Sequence, residues 1–294
     1  MKRILITGGS GLLGQYINLT AVNKFAIHTT YKNNIGNCKK FHNSKLDILK
    51  EVELKKIFEE FQPNTVIHLA AITNPVPIEK QTTKDYFDTN VTATKNVATL
   101  CSKFNSKLIY ISTDLVYAGY RGSFLKEDGK LIPVSLYAET KLVGESKVKD
   151  FSSDYLILRV ALLYGFGLNH ARCHFHFTFN QLRNNKPIKL FIDQYRSPIS
   201  LIDVSEIITN LIDMDITNET INIGGTERIS RFELGEMLCS IAGFDKTLLQ
   251  KITMDDIPDF PKVEDVSLNI DKLISKGLKP RTIEDNFREL VANK

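Results

Sequence analysis

The sequence predicts an α/β fold in which a parallel β-sheet is covered by helices on both faces. Short apolar strands alternate with amphipathic helical patterns through the first half of the chain. Such alternation is typical of a doubly wound parallel sheet, because each connecting helix packs back onto the sheet. Near the start, an apolar strand runs into three glycines spaced three apart, and a helical pattern follows at once. A chain of 294 residues is long enough for such a sheet and a smaller lobe.

The elements are predicted, in chain order, from the spacing of apolar residues. Short apolar runs bounded by polar or turn residues indicate strands, and apolar residues that recur every three to four positions indicate helices. The predicted strands are Ile4–Thr7, Phe25–Tyr31, Thr65–Leu69, Lys107–Ser112, Tyr155–Val160, Leu190–Ile192 and Thr220–Ile223. The predicted helices are Leu12–Val22, Glu51–Phe61, Lys84–Phe104, Ala138–Val148, Phe175–Arg183, Val204–Met214, Phe232–Ile241 and Thr282–Leu290.

Helix boundaries in the second half have recognisable signals. Ser230 is a predicted N-cap, and Glu233 three residues later completes a capping box. That helix is expected to end near Gly243, and Thr282 is a predicted N-cap of the last helix.

The composition argues against several classes of protein. The chain has 38 basic and 34 acidic residues, and its net charge of +4 is too mild and dispersed to indicate nucleic-acid or membrane binding. No apolar run approaches the length of a membrane span, and the N-terminus lacks a signal-peptide core. The four cysteines match no metal or redox spacing. We therefore expect a cytoplasmic protein with reduced thiols and no bound metal.

The glycines at positions 8, 11 and 14 stand between the first strand and the first helix. Glycine is required where φ is positive or where the backbone approaches a ligand closely. At a helix N-terminus, free N–H groups and the helix dipole favour a pyrophosphate. The position of the motif predicts dinucleotide binding. The alternative is a tight turn that binds no ligand.

The end of the second predicted strand bears on which dinucleotide binds. An acidic residue at this point usually holds the ribose hydroxyls of NAD(H), yet Gln15 to Leu46 contains no Asp or Glu. Lys32 stands there instead, where it can pair with a 2′-phosphate, and Thr30 or Asn33 can donate to the same group. We predict NADP(H), with NAD(H) as the alternative. The alternative for Lys32 is that its side chain points into water and takes no part in binding.

A tyrosine and a lysine four residues apart form the second informative pattern. Tyr137 and Lys141 share one helix face, so the ammonium can lie beside the phenol and lower its pKa. Ser112, Thr113 and Asp114 end a predicted strand at the ligand-binding edge. The Thr113 hydroxyl can donate to a substrate carbonyl oxygen while Tyr137 transfers a proton. The alternatives are a surface Tyr–Lys pair and hydroxyls that cap a turn.

These segments together resemble the extended short-chain dehydrogenase/reductases, and most closely the dTDP-4-dehydrorhamnose reductase group. The resemblance implies a Rossmann sheet with a smaller substrate-binding lobe, built from residues 1–164 plus 199–224 and from residues 165–198 plus 225–294, respectively. It extends along the chain through Gly8-x-x-Gly11-x-x-Gly14, His68-Leu-Ala70-Ala71, Asn90-Val-Thr-Ala-Thr-Lys-Asn, Ser112-Thr113-Asp114-Leu-Val-Tyr117, Leu136-Tyr137-Ala-Glu-Thr-Lys141-Leu-Val-Gly-Glu145, Leu158-Arg159, Leu163-Tyr164-Gly165, Asp193-Gln194, Asn222-Ile-Gly-Gly and Ser230-Arg-Phe-Glu233.

The resemblance implies roles for individual residues. Thr113, Tyr137 and Lys141 would form the catalytic set, in which Lys141 lowers the pKa of Tyr137 and holds the nicotinamide ribose. Asp47 would touch the adenine, and Asn90 would be either catalytic or a structural residue of the helix layer. The predicted cofactor residues are Gly8, Ser10, Gly11, Leu12, Leu13, Gly14, Tyr31, Lys32, Asp47, Ile48, Leu69, Ala70, Ala71, Tyr137 and Lys141. The predicted substrate residues are Thr73, Asn74, Asp114 and Arg196.

The chain also departs from the reductase pattern. Arg196 stands where that group has a small residue, and Ser200 stands where threonine is usual. Val160-Ala-Leu-Leu163 replaces a segment that commonly holds a tryptophan. Because both places face the sugar pocket in that group, the identity of the sugar stays open. Arg196 is predicted either to contact the diphosphate or sugar, or to face solvent from a loop.

Three histidines, His170, His174 and His176, lie close together in the sequence. His174 and His176 could share a face of a strand and hold zinc, but no Cys or carboxylate set with ligand spacing accompanies them. The plainer interpretation is a loop or helix start that contacts a ligand phosphate or a partner subunit.

The predicted activity is NADPH-dependent reduction of a keto group on a nucleotide-linked deoxysugar, such as a dTDP-4-keto-6-deoxyhexose. One alternative is an epimerase or dehydratase of the same family. Dehydratases usually carry a second acid, where Leu115 stands here. The other is a non-catalytic NADP-binding subunit, since the regulatory subunit of methionine adenosyltransferase is similar over the same motifs. A homodimer is a further expectation.

Overall fold

The computed structural model describes residues 1–74, 81–120, 122–258 and 261–294. Its strands are β1 (Arg3–Thr7), β2 (Ala26–Tyr31), β3 (His42–Lys45), β4 (Thr65–His68), β5 (Lys107–Thr113), β6 (Tyr155–Val160), β7 (Leu163–Tyr164), β8 (Ile188–Phe191), β9 (Tyr195–Arg196), β10 (Ile199–Ser200), β11 (Glu219–Ile223), β12 (Ile229–Ser230) and β13 (Leu249–Ile252). Its α-helices are α1 (Leu12–Ala21), α2 (Glu51–Phe61), α3 (Thr83–Phe87), α4 (Ala93–Lys103), α5 (Leu136–Phe151), α6 (His174–Arg183), α7 (Leu201–Leu211), α8 (Arg231–Ala242), α9 (Asp271–Ser275) and α10 (Ile283–Ala292).

Seven strands of the described residues form one parallel sheet in the order β11-β6-β5-β4-β1-β2-β3. The strand order reverses between β1 and β4, and ligands of such sheets bind at this switch point, beyond the carboxyl ends of the strands. The glycine turn follows β1, Leu69 follows β4, and Thr113 ends β5, so all three lie at that edge. The predicted doubly wound parallel sheet is confirmed.

Apolar side chains fill a core on each face of the sheet and a third core in the smaller lobe. One face packs against α1 and α7 through residues such as Ile17 and Val204, and the other against α2 and α4 through Leu54 and Val97. The third core joins α6, α8 and α10. The apolar residues between positions 263 and 278 pack into the first core, although the division made from the sequence assigned them to the lobe.

The sequence prediction missed β3, whose residues are His-Asn-Ser-Lys. This strand has no apolar alternation, and it is held by parallel pairing with β2 at the edge of the sheet. Five further short strands, β7, β9, β10, β12 and β13, were also not predicted. Helix α7 begins earlier than predicted, because Ser200 caps it by accepting a hydrogen bond from the Asp203 nitrogen (3.0 Å).

The single helix predicted over Lys84–Phe104 is interrupted. A π-helical turn over Asp88–Thr92 separates α3 from α4. Asn90 lies in this turn, and its side chain bonds both the nitrogen (2.9 Å) and the oxygen (3.0 Å) of Ile72 and the Thr140 hydroxyl (3.0 Å). These contacts engage the buried Asn90 amide and join the segment after β4 to α5.

The predicted helix boundaries at α8 and α10 are confirmed. Ser230 and Glu233 form a capping box, and Gly243 ends α8 with a φ of +71°. Thr282 caps α10 through the Asp285 nitrogen. All four cysteines are free, and three of them are buried. Within the described ranges, no helix combines the length and apolar character needed to cross a membrane.

Candidate active site

The glycine turn joins β1 to α1 at the carboxyl edge of the sheet. Gly8 has a φ of +71°, and a Cβ there would lie 2.7 Å from the Ala70 nitrogen, so only glycine fits. A Cβ at Gly14 would lie 2.6 Å from the Gly8 oxygen. Gly11 is the N-cap of α1, and no side chain caps that helix. The turn therefore presents the positive end of α1 to the adjoining space, an arrangement that suits a pyrophosphate.

A cavity of about 690 Å³ opens beside this turn and extends past the ends of β4 and β5. Its far side is formed by residues of β9, of α6 and of the start of α8. Many of the residues predicted for cofactor and substrate meet here. Those that line the cavity are Gly8, Gly11, Leu12, Leu13, Gly14, Leu69, Ala71, Thr73, Asn74, Thr113, Asp114, Tyr137, Lys141 and Arg196.

Tyr137 lies in the first turn of α5, whose start is set by the Ser135 cap on the Ala138 nitrogen (3.2 Å). The Tyr137 side chain lies beside Thr113 at the end of β5, and both residues line the cavity. Burial raises the pKa of Tyr137 above its ordinary value, the Thr113 contact opposes this, and the charge of Asp114 adds to it. Tyr137 therefore holds its proton at neutral pH.

Lys141 lies one turn further along α5 and is 3% exposed. Its ammonium is 3.9 Å from the centroid of the Tyr110 ring. Burial lowers the pKa of Lys141 to about 7, and the negative charge of Glu145 opposes that shift. The net pKa of Tyr137 is raised rather than lowered, contrary to the expectation from the sequence, because desolvation dominates at Tyr137 while the Lys141 side chain packs on Tyr110.

Asp114 and Arg196 form a buried pair on the cavity wall. Arg196 Nε lies 3.8 Å from Asp114 Oδ2, and both side chains are less than a tenth exposed. Burial raises the pKa of Asp114, and Arg196 opposes that shift. Asp114 Oδ2 and Arg196 Nη1 have no hydrogen-bond partner among the described residues. The solvent-facing interpretation of Arg196 is wrong, and the pair offers one acceptor and one donor to a polar ligand.

Several cavity residues were not among the predicted site residues, and they include Arg231, Gln194 and His174. Arg231 is the first residue of α8, and its Nε donates to Gln194 Oε1 (3.1 Å). Burial and, secondarily, the charge of neighbouring Arg196 lower the pKa of Arg231 to about 10. His174, at the start of α6, also lines the cavity. The sequence held one sign that Gln194 and Arg231 belong to the site: each lies in a segment that carries the family resemblance.

The end of β2 differs from the sequence prediction, because a carboxylate lies beside Lys32. Lys32 Nζ is 2.8 Å from Asp47 Oδ2, and the two side chains are 55% and 31% exposed. Nothing in the sequence indicated a carboxylate beside Lys32, because Gln15 to Leu46 contains no Asp or Glu. Since β3 pairs with β2, the residues that follow β3 bring Asp47 next to Lys32. Thr30 is not free to bind a phosphate, because it is buried and accepts a hydrogen bond from the Gly8 nitrogen (3.3 Å).

Four other predicted cofactor residues do not line the cavity. Ser10 lies within the glycine turn, and Ala70 contributes the backbone nitrogen that packs under Gly8. Tyr31 ends β2. The Ile48 side chain is buried in the core on the α2 face.

The three histidines do not converge. His174 and His176 lie on a helix rather than a strand, so positions two apart face different directions. His174 bonds Thr178 (3.3 Å), whereas His176 accepts from the Gly167 nitrogen (3.0 Å). Burial and, secondarily, Arg231 lower the pKa of His174 to about 4. The described part of the chain contains no group of three or more His, Cys, Asp or Glu residues arranged to hold a metal ion.

Comparisons with known proteins agree with this architecture. The chain is 27% identical over 293 residues to methionine adenosyltransferase 2 subunit beta of Xenopus laevis, covering 96% of this chain and 84% of that protein. It is 27% identical over 265 residues to dTDP-4-dehydrorhamnose reductase of Aggregatibacter actinomycetemcomitans, covering 88% and 83%, respectively.

Solved structures share the fold over the whole chain. The crystal structure of dTDP-4-dehydrorhamnose reductase from Bacillus anthracis in complex with NADP superposes with a TM-score of 0.87 at 24% identity, covering 100% of both chains. The family model described as RmlD substrate binding domain matches residues 1–294. The chain therefore belongs to the RmlD substrate-binding-domain family.

Proposed function

We propose that this protein is an NADPH-dependent reductase of a keto group on a nucleotide-linked deoxysugar, of the dTDP-4-dehydrorhamnose reductase type. The observation that carries the proposal is that a single cavity joins the glycine turn to Thr113, Tyr137 and Lys141. A dinucleotide on the turn and a carbonyl beside Tyr137 would then share one cavity. The family membership and the reductase of Aggregatibacter actinomycetemcomitans support the same activity.

The residues at the turn fit a dinucleotide. The uncapped start of α1 and the glycine positions that exclude a Cβ suit the pyrophosphate. Lys32 and Asp47 would lie at the adenosine ribose, and Lys141 would hold the nicotinamide ribose. When bound, the reduced cofactor supplies the hydride.

The chain's own residues would manage the proton. Thr113 would donate a hydrogen bond to the carbonyl oxygen and stabilise the negative charge that develops on it. Tyr137, which keeps its proton at neutral pH, would transfer that proton to the alkoxide, a stronger base than a phenolate. The Lys141 ammonium would stabilise the tyrosinate that is left.

Arg196, together with Asp114, Thr73 and Asn74, would bind the substrate. Its unpartnered buried Nη1 suits a diphosphate or sugar oxygen. Arg196→Ala is expected to raise KM by about 10- to 100-fold, since a hydrogen bond to a charged group contributes about 1.5–3 kcal/mol. Steady-state kinetics would measure this effect, with Arg183→Ala at the exposed end of α6 as the matched control. A KM equal to the wild-type value in Arg196→Ala would remove Arg196 from the substrate site.

The proposed activity can be tested by following NADPH oxidation with a panel of dTDP-, GDP- and UDP-linked 4-keto-6-deoxysugars. Turnover of one of them is expected. A silent panel with intact NADPH binding would contradict the proposal and favour a non-catalytic NADP-binding subunit; the Xenopus laevis relative is named as a subunit of methionine adenosyltransferase 2. Interconversion of a sugar without net NADPH consumption would instead indicate an epimerase or dehydratase.

The preference for NADPH depends on Lys32. Lys32→Ala is expected to weaken NADPH binding by about tenfold, equivalent to about 1.4 kcal/mol, without changing NADH affinity, because only NADPH carries the 2′-phosphate. Asp47→Asn is expected to strengthen NADPH binding, since Asp47 both repels the phosphate and occupies Lys32. Fluorescence titration measures both affinities, with exposed Lys279→Ala as the control. Tighter binding of NADH by the wild type would reverse the assignment.

We also propose the two-part division given above with one change: residues 263–278 belong with the sheet, because their apolar side chains complete its core. A further proposal is that the protein forms a homodimer in the cytoplasm. Analytical ultracentrifugation would test the oligomeric state.

A further inference from the structure

A buried ionic cluster lies directly behind the Tyr137–Lys141 face of α5. Glu145 is four residues after Lys141, so Tyr137, Lys141 and Glu145 form one row along the helix. Glu145 is 1% exposed and Arg159 on β6 is 2% exposed. Arg159 donates to Glu145 through Nε (3.0 Å) and Nη2 (2.8 Å), which is a bidentate contact.

The cluster reaches the catalytic end of β5. Ser112 Oγ donates to Glu145 Oε1 (2.6 Å), and Ser112 directly precedes Thr113. One carboxylate therefore joins α5 to β5 and β6 at the level of the proposed active site. Because Thr113 and Tyr137 come from separate elements, their proximity in the cavity depends on the position of α5 against β5.

Arg159 extends the cluster away from the cavity. Its Nη1 donates to the Tyr117 hydroxyl (2.9 Å) and to the backbone carbonyl oxygen of Glu127 (2.9 Å). The Tyr117 hydroxyl in turn donates to Asn222 Oδ1 on β11 (2.8 Å). These contacts use Nε, Nη1 and Nη2 of Arg159, so its guanidinium holds the Glu145 carboxylate from behind.

Glu145 also faces Lys141. The ionisable groups around the Lys141 side chain are Tyr110 on β5, His68 on β4, and Tyr137 and Glu145 on α5. Burial keeps His68 uncharged at neutral pH and lowers its pKa to about 3. The two tyrosines hold their protons because burial raises their pKa values. Of the four groups around Lys141, Glu145 carries the negative charge, and its carboxylate makes the bidentate contact with Arg159.

We propose that Glu145 is a positioning residue: it clamps α5 to the end of β5 so that Tyr137 lies beside Thr113, and its carboxylate favours the ammonium form of Lys141. The inference rests on the proposed function for its catalytic consequence, but the charge on Lys141 can be measured without any substrate. Glu145 acts through Lys141 and Ser112 and has no contact of its own with a reacting atom.

The test compares Glu145→Gln, which removes the charge, with Glu145→Asp, which keeps it. Glu139→Gln on the exposed side of α5 is the matched control. Two readouts are used: the pH dependence of kcat/KM, which reports the ionisations of the free enzyme, and NMR titration of [ε-13C]lysine protein, in which Lys141→Arg assigns the signal.

In the wild type, kcat/KM is expected to fall as pH rises through about 7, since the Lys141 pKa lies there and only the ammonium form is active. Glu145→Gln is expected to move that midpoint, and the Lys141 NMR midpoint, down by about one pH unit, a tenfold change in the ammonium-to-amine ratio. Glu145→Asp and Glu139→Gln are expected to keep the wild-type midpoint.

A folded Glu145→Gln protein with the wild-type Lys141 midpoint would overturn the proposal. If Glu145→Gln does not fold, Glu145→Gln/Arg159→Gln leaves no buried charge unpaired, and a midpoint shift in the same direction is expected from it. An unshifted double variant would equally overturn the proposal. Failure of the proposed function would appear separately, as a wild-type protein that is silent with every keto sugar while the Lys141 titration still responds to Glu145.

Discussion

Replacing Tyr137 with phenylalanine is expected to lower turnover by about 10²–10⁴-fold, the usual contribution of a positioned acid or base. The substitution removes the hydroxyl beside Thr113 and leaves the ring in the cavity. NADPH affinity is expected to change little, because the proposed pyrophosphate site lies at the glycine turn. The measurement is kcat on the substrate that the keto-sugar panel identifies, with NADPH affinity determined in parallel.

A matched control for Tyr137→Phe is Tyr155→Phe, which makes the same change at a partly buried tyrosine at the start of β6, away from the cavity. Its turnover is expected to equal that of the wild type. Near wild-type turnover in Tyr137→Phe would remove Tyr137 as the proton donor. A loss of NADPH binding in that variant would instead show that the hydroxyl serves the cofactor.

Replacing Arg159 with methionine is expected to destabilise the protein by about 3–5 kcal/mol, because Glu145 would be left as an uncompensated buried charge. The variant also removes the donors to Tyr117 and to the Glu127 oxygen. The measurement is the midpoint of urea unfolding followed by circular dichroism, converted with the slope of the transition.

Two comparisons identify the cause of that loss. Arg183→Met at the exposed end of α6 is expected to leave stability within about 0.5 kcal/mol of the wild type. Glu145→Met/Arg159→Met is expected to recover much of the loss, since a buried ion pair replaced by apolar groups of similar size is often neutral in stability. A single Arg159→Met variant as stable as the wild type would show that Glu145 does not depend on this partner.

The parts of the fold that could be predicted are those specified by neighbouring residues. The strands and helices around the sheet follow from apolar spacing, and the Ser230–Glu233 capping box follows from residues three apart. The polar strand β3 carried no such signal, because its pairing with β2 stabilises it through the backbone. The π-helical turn at Asn90 was equally invisible, since its side-chain bonds go to Ile72 and Thr140 on other segments.

The candidate site divides in the same way. Short-range spacing determined the glycine turn, the helical Tyr137–Lys141 face and the strand end at Thr113, because each depends on the geometry of a single turn, helix or strand. Only the tertiary structure decided which charges meet: Lys32 with Asp47, Asp114 with Arg196, and Glu145 with Arg159. It also decided the protonation of Tyr137 and Lys141, where burial outweighs the neighbouring charges. Desolvation and ion pairing depend on what packs around a side chain from distant segments, and residue spacing within one segment does not specify that environment.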